Sequence, residues 1–314
     1  MRKFLKSMAI GATLAVTAFG SVAQAKQLHF VYITHGADSD SWFNVIKNAI
    51  NLAAKQMNVT VDYRNPPTGD LAQMARIVQQ ATASHPDGIV TTIADFDVLK
   101  GPITAAVDQG IPVITVNSGT IKQSKELGAL LHIGQPEYAA GKAAGERAKK
   151  AGVTHFLCVN HYITNPASVE RCQGFADGLG VPLGNQMIDS GMDPSQVKNK
   201  VEAYLTAHPK TNGILTLGPN SADPTIAALD DMGKSGQIYF GTFDLDPAIA
   251  KAIKSGVIAF AIDQQPFLQG YLPIVLLANY DRYGVIPPDS INSGPGFITK
   301  ATIGQVQKLA GTYR

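Results

Sequence analysis

"HFVYITH" (29–35) and "HFLCVNH" (155–161) decide how this chain is organised. Each is an apolar, β-branched and aromatic run bracketed by histidine, and such runs favour strands. The second begins 126 residues after the first (155 less 29). A similar offset returns elsewhere. "ATASHPDGIVTTI" (81–93) matches "LTAHPKTNGILTL" (205–217), with His85 and His208 123 residues apart. Each copy leaves a helix at His-Pro and enters a strand containing Gly-Ile-(Val/Leu)-Thr. "ITAAVDQGIPVITVNS" (103–118) parallels "TIAALDDMGKSGQIYFGTFD" (225–244). Offsets that agree within a few residues mark an internal repeat. The chain holds two similar units, roughly 27–132 and 133–263.

Strands are expected at 28–34, 58–63, 88–93, 111–117 and 129–133, then at 153–159, 185–189, 213–217, 237–242 and 257–262. Segments 41–57, 71–84, 136–152 and 194–208 carry apolar residues at helical spacing. Alternating strand and helix implies an α/β fold with parallel sheets covered on both faces. Each unit is therefore expected to be a doubly wound sheet. Ligands of such sheets bind beyond the carboxyl ends of the strands, where strand order reverses. Two units facing each other would frame one cleft.

The first 25 residues read differently. Arg2, Lys3 and Lys6 precede an uncharged run over 8–20, and Ala23-Gln24-Ala25 matches a cleavage signature. A signal peptide cleaved after Ala25 is expected, which exports the mature chain to an oxidising compartment. Of 314 residues, 289 would remain, with 26 less 3, or 23, Lys and Arg against 24 Asp and Glu. That balance of −1 offers no electrostatic footprint for nucleic acid. No later segment is long and apolar enough to span a membrane. In an exported protein Cys158 and Cys172 could pair. Two buried free thiols is the preferred reading. No Cys/His spacing suggests metal.

The residues after the strands carry the chemistry. Asp40, Trp42 and Phe43 follow the first strand, and Asn117-Ser118 the fourth. Arg171 lies on the helix after 153–159. Asn220 and Asp223 follow 213–217, Asp244 stands at the repeat position of Asn117, and Asp263-Gln264 end the last strand. Carboxylates, amides, an arginine and flat aromatic surfaces suit a small polyhydroxyl compound. Sugar C–H faces pack on rings, and hydroxyls both donate and accept. Each residue also has a plainer reading. Asp40 could cap the helix beginning at Ser41, Asn117 and Asp244 could form turns, and Arg171 could pair with Glu170 or Asp177. His35 and His161 read as scaffold, and a metal site from His35, Asp38 and Asp40 is not favoured. Gly141 and Gly145 read as helix packing.

These motifs, taken in order, resemble the periplasmic sugar-binding proteins of ABC importers, in the ribose/galactose-binding, type I (LacI-like) family. "DSWFNVIKNAI" resembles the family's first-helix start, and "GIPVITVNS" the strand followed by Asp or Asn. "HIGQPEYAAGKAAGERA" resembles the first crossing between lobes. "ASVERCQGF" carries an Arg three residues before Gly-Phe, "GTFDLDP" the Gly-Phe-Asp turn, and "AIDQQP" the Gln-x-Pro crossing. The resemblance runs almost end to end over the mature chain. It implies a ligand set of Asp40, Trp42, Phe43, Asn117, Ser118, Arg171, Met192, Asn220, Asp244 and Gln264. Ser118 stands where ribose binders commonly have Arg, Met192 where they have an aromatic, Asp40 where they have Asn, and Trp42 where they have Phe. These departures point away from ribose itself.

The resemblance also implies three crossings, near 131–135, 262–266 and 291–297. The N-terminal lobe would comprise 26–132 plus 266–292, and the C-terminal lobe 133–264 plus 296–314. Function follows as hinge closure on a monosaccharide or polyol, by a monomer that delivers it to a membrane permease with ATPase subunits. The alternative is a receptor feeding a chemoreceptor or sensor kinase. No cofactor and no enzymatic activity are expected. The chain lacks a G-x-S-x-G elbow, a phosphate loop and an H-E-x-x-H helix. A glycosidase built on Asp40 and Asp244 is the residual enzymatic alternative. A sugar-responsive repressor would need an N-terminal helix-turn-helix, and the leader occupies that space.

Overall fold

The computed structural model describes residues 27–314, and the leader expected over 1–25 lies outside them. The first lobe alternates β1 (His29–Ile33), α1 (Phe43–Met57), β2 (Thr60–Arg64), α2 (Leu71–Ala83), β3 (Gly88–Thr92), α3 (Phe96–Asp108), β4 (Val113–Val116), α4 (Ile121–Glu126) and β5 (Leu131–Gly134). The second repeats the plan. It runs through α5 (Glu137–Lys150), β6 (Phe156–Asn160), α6 (Pro166–Leu179), β7 (Met187–Asp189), α7 (Pro194–Ala207), β8 (Gly213–Thr216), α8 (Pro219–Asp231), β9 (Tyr239–Phe243), α9 (Pro247–Ser255) and β10 (Phe260–Asp263). Then come α10 (Pro266–Tyr283), β11 (Ile291–Asn292), β12 (Gly296–Thr299) and α11 (Ile303–Val306).

The two sheets have one topology. Their orders are β2-β1-β3-β4-β5-β11 and β7-β6-β8-β9-β10-β12. Pairing is parallel throughout except between β12 and β10. The central strands are buried at every position, as strands covered on both faces must be. Alternation along each strand sorts its side chains. Val31, Ile33 and Ile89 meet Met74, Val78 and Leu99 of α2 and α3. Phe30, Tyr32 and Val90 point the other way, to Ile46 and Ile50 of α1 and Ile274 and Leu277 of α10. In the second lobe, Leu157 and Val159 meet α7, while Phe156 and Cys158 meet α5 and α6.

The chain passes between the sheets three times: after β5, after β10, and between β11 and β12. Helix α10 thereby returns to the first sheet. It packs so closely on α1 that a Cβ at Gly270 would stand 2.6 Å from the Ile46 carbonyl oxygen. The crossings are stitched together. Gln269 Nε2 donates to Gln264 Oε1 at 3.2 Å and to Ser293 Oγ at 3.0 Å, and Gln265 Nε2 donates to the Ser293 carbonyl at 2.6 Å.

Candidate ligand-binding site

In a sheet ordered 2-1-3-4-5, the crevice lies beyond the ends of β1 and β3, and here both lobes present that edge to one cleft. It encloses about 180 Å³, small enough for a single small molecule. Asp40, Trp42, Phe43, Asn117, Ser118, Arg171, Met192, Asn220, Asp244 and Gln264 all line it. Asn117 and Asp244 keep their repeat relation in the backbone. Both are left-handed, with φ of 59° and 65°, a conformation that short polar side chains tolerate best. Their N–H groups donate to the matching carbonyls of Ile133 and Ile262, at 3.0 and 2.7 Å. Turn-forming and cleft-lining thus coexist at both positions.

The first lobe supplies an aromatic wall. Trp42 and Phe43 stand edge to face, with ring centroids 5.0 Å apart. Gly36 leaves room for Phe43, since a Cβ there would overlap its ring. Asp40 Oδ1 accepts the Trp42 N–H at 3.2 Å in the turn before α1; the helix begins at Phe43 rather than Ser41, its cap residue is Trp42, and no side chain caps it, so Asp40 is not the helix cap. Burial raises the Asp40 pKa, opposed in part by the Trp42 N–H and the Asn220 side chain from the other lobe.

The second lobe supplies Arg171, and its partner is neither Glu170 nor Asp177. It is Glu137, the first residue of α5. Arg171 Nε and Nη2 donate to the two Glu137 oxygens at 2.7 and 2.8 Å, and Nη1 donates to the Leu217 carbonyl at 3.0 Å. The guanidinium lies 4.4 Å over the Phe243 ring. Two features of the sequence bring α5 and α6 this close. Gly141 and Gly145 face Gly174 and Gly178, and a Cβ on any of the four would overlap a backbone carbonyl oxygen of the other helix. On its other side α6 is tied to β6 by a disulfide between Cys158 and Cys172, S–S 2.02 Å. This overturns the free-thiol reading. Cys172 follows Arg171 directly, so the bond anchors the neighbour of a cleft residue.

A sequence profile of the periplasmic binding protein domain matches residues 30–282. The chain belongs to the periplasmic binding protein family. It is 27% identical over 311 residues to a xylose/arabinose-binding protein of Sulfolobus acidocaldarius, covering 94% of this chain and 76% of that one. Identity is 26% over 272 residues to the ribose import binding protein of Escherichia coli, covering 83% and 86%. A crystal structure of a carbohydrate transporter from Acidothermus cellulolyticus, in complex with myo-inositol, superposes with a TM-score of 0.84. It is 33% identical, and the match covers 91% of this chain and 99% of that one.

The cleft of this binding protein holds further residues that the sequence reading passed over. His35 and His161, taken as scaffold, both line it. Their Nδ1 atoms lie 3.0 Å from Thr92 Oγ1 and 3.2 Å from Ser221 Oγ, so they are at once anchored and cleft-facing. Burial pushes both rings down to about 4, helped for His35 by His161 and Arg171 and for His161 by Arg171. Tyr162, Asn165 and Ser168 also line the cleft, from the β6–α6 loop and the start of α6. Asn165 Nδ2 donates to Ser118 Oγ at 3.0 Å, from one lobe to the other, and the Tyr162 and His35 rings meet at 5.6 Å.

Asp244 is pushed up to about 7 by burial, against the pull of Arg171 and of Gln264, whose Nε2 donates to it at 2.8 Å. Trp42 Nε1 and Tyr162 Oη are buried there without a hydrogen-bond partner. Met192 sits on the rim, 41% exposed. Two strand-end carboxylates are absent from the cleft lining. Asp223 is raised to about 7 by burial and by its neighbour Asp246, and Asp263 pairs with Arg314 at 2.6 Å. Among the described residues no cluster of His, Cys, Asp and Glu could hold a metal, and no helix is long and apolar enough to cross a membrane.

Proposed function

We propose that this protein is the exported receptor of an ABC importer and captures a single neutral monosaccharide or cyclic polyol between its lobes. The observation that carries the reading is convergence: ten residues, from strand ends and from helix α6 and drawn from both lobes, line one small cavity. Aromatic faces, carboxylates, amides and buried unpartnered donors at Trp42 and Tyr162 match the C–H faces and hydroxyls of such a ligand. The named relatives bind xylose or arabinose and ribose, and the neighbour from Acidothermus cellulolyticus holds myo-inositol. In this reading the leader is cleaved after Ala25 and the receptor works in the periplasm. The lobes open and close about the three crossings, and ligand shifts the population to the closed form. The closed form then docks on a permease whose ATPase subunits drive import. The ligand leaves chemically unchanged, because the cleft's task is differential binding.

The test is a thermal-shift screen with D-xylose, L-arabinose, D-ribose, D-glucose, D-galactose and myo-inositol. Ligand at a hundred times its Kd stabilises by about 2.7 kcal/mol, or about 4–5 °C for a chain of this size. Arg171→Ala and Asp244→Ala should abolish that shift. Full ligand stabilisation in both variants would refute the site.

A further inference from the structure

Arg171 and two histidines on one cleft wall suggest an anion site, yet the charges there cancel. Arg171 is the only arginine or lysine lining the cleft among the described residues. Its charge is met by both oxygens of Glu137, which Gln135 Nε2 supports further at 2.8 Å. Burial opposes the arginine's charge, but Glu137 and then Asp244 outweigh it and raise its pKa. His35 and His161 are neutral at physiological pH. Neighbouring lysines are engaged elsewhere. Lys47 lies 4.8 Å over the Tyr63 ring, and Lys198, on the adjoining groove, pairs with Asp231 and Glu202. Asp40 and Asp244 remain, one on each wall.

We propose that the cleft selects uncharged polyols and rejects the corresponding sugar acids, and that Glu137 sets this selectivity by neutralising Arg171. This rests on the sugar-receptor reading above and narrows it. The guanidinium has five N–H donors, of which Glu137 and Leu217 take three. One N–H on each terminal nitrogen stays free to donate to a hydroxyl. A ligand carboxylate would meet the same donors without a net positive charge behind them. Within about 180 Å³ it would also lie close to Asp40 and to Asp244, which at about 7 is still partly ionised at neutral pH, and like charges at short range oppose binding. Glu137 is thus a positioning residue that acts through Arg171. It holds the fork in place and removes its appetite for anions.

The experiment compares neutral hexoses with uronic acids of matched size and stereochemistry: D-glucose with D-glucuronate, and D-galactose with D-galacturonate. Binding is measured by calorimetry on the mature chain at neutral pH. The acid should bind at least about 100-fold more weakly than its neutral partner. Glu137→Gln, which leaves Arg171 charged and uncompensated, should shrink that ratio tenfold or more, and Glu137→Asp should restore it. Because an unpaired buried arginine can unfold a protein, the apo melt of each variant is recorded, and a second variant, Asp40→Asn, removes a carboxylate from the opposite wall with the Glu137–Arg171 pair intact and should narrow the ratio as well. Acid binding as tight as the neutral sugar in the wild type overturns the proposal, as does an unchanged ratio in either folded variant. A wild-type protein that binds a neutral sugar or polyol and its acid equally overturns this proposal and leaves the receptor reading standing; one that binds the acid alone overturns the neutral-ligand reading as well. One that binds no sugar or polyol at all overturns the receptor reading itself.

Discussion

Gly141→Ala should loosen the protein and weaken its site together. A Cβ at this position would overlap the Arg171 carbonyl oxygen and stand 2.9 Å from its carbonyl carbon, where ordinary contact begins at 3.4 Å. The blocking atoms are backbone, so no rotamer change relieves them. Helices α5 and α6 must part by at least about half an ångström, and more at the oxygen. Two effects compete. Alanine is the better helix former by about 1 kcal/mol. Overpacking costs about 1–3 kcal/mol, and the rigid backbone obstacle puts this site at the upper end. The net expectation is a loss of about 1–2 kcal/mol, or about 2–3 °C in Tm. Gly304 in α11 is the control, because a Cβ there meets nothing within 4 Å and no proline follows it. Gly304→Ala should be neutral or stabilise by up to about 1 kcal/mol. The same helix separation pulls Glu137 from Arg171, whose 2.7 and 2.8 Å bonds have little slack, so ligand affinity should fall as well. Thermal melts and calorimetry on both variants decide it. A Gly141→Ala protein as stable and as tight-binding as the wild type would refute the close-packing account of the site.

Buried histidines and buried aspartates pull stability in opposite directions over one pH window. His35, His132 and His161 are lowered by burial to about 4 from 6.5, so the unfolded chain takes up their protons first, and their contribution is lost as pH falls from about 6.5 toward 4. Asp244 and Asp223, raised to about 7, work the other way: their contribution declines as pH rises from about 4 to 7. The test is therefore a difference. Asp244→Asn removes one opposing group, so its urea midpoint should climb more steeply than the wild type's from about pH 4.5 to 6.5; equal slopes contradict the assignment. Replacing both Cys158 and Cys172 with Ala removes a link closing a 14-residue separation and should cost about 3 kcal/mol; an unchanged Tm would mean the bond contributes nothing. Ser118→Ala removes the hydroxyl that Asn165 reaches across the cleft and that donates to Asn117 Oδ1 at 3.1 Å, and should weaken ligand about two- to tenfold while lowering apo stability by about 1 kcal/mol. Equal affinity would place that contact outside the bound state.

The sequence exposes some parts of this architecture and hides others for physical reasons. Buried parallel strands must be continuously apolar, so "HFVYITH" and "HFLCVNH" announce β1 and β6, and their spacing announces two lobes. Asn117 and Asp244 were legible because the turn that needs a left-handed residue and the cleft that needs a polar one occupy the same position. Glu137 was not. Its meaning depends on α5 lying against α6, a contact made by glycines that carry no sign of their partner. Helix α10 has no copy in the repeat, and only the family resemblance implied its return to the first lobe. Histidine bracketing suggested scaffold because His35 and His161 do bond to the framework; that their rings also line the cleft follows from the lobes facing each other.

That facing arrangement links the site to the crossings. Asn117 Nδ2 donates to the side-chain oxygens of Gln264 and Gln269, each at 3.1 Å. Gln264 in turn donates to Asp244, and Gln269 reaches Ser293 at the third crossing. The two repeat-related cleft residues, one from each lobe, are therefore joined through a residue at the end of β10, where the chain changes lobes. A ligand hydroxyl that bonds Asn117 or Asp244 must compete with or reinforce this amide chain. In the proposed cycle, that gives ligand a direct hold on the geometry of the crossings, without a relay through either hydrophobic core. The same wiring explains why Gln264 is itself buried on the cleft wall. An apolar residue there would remove that donor, and burial would then hold more of the Asp244 carboxyl in its protonated form, which accepts through one oxygen and donates through the other.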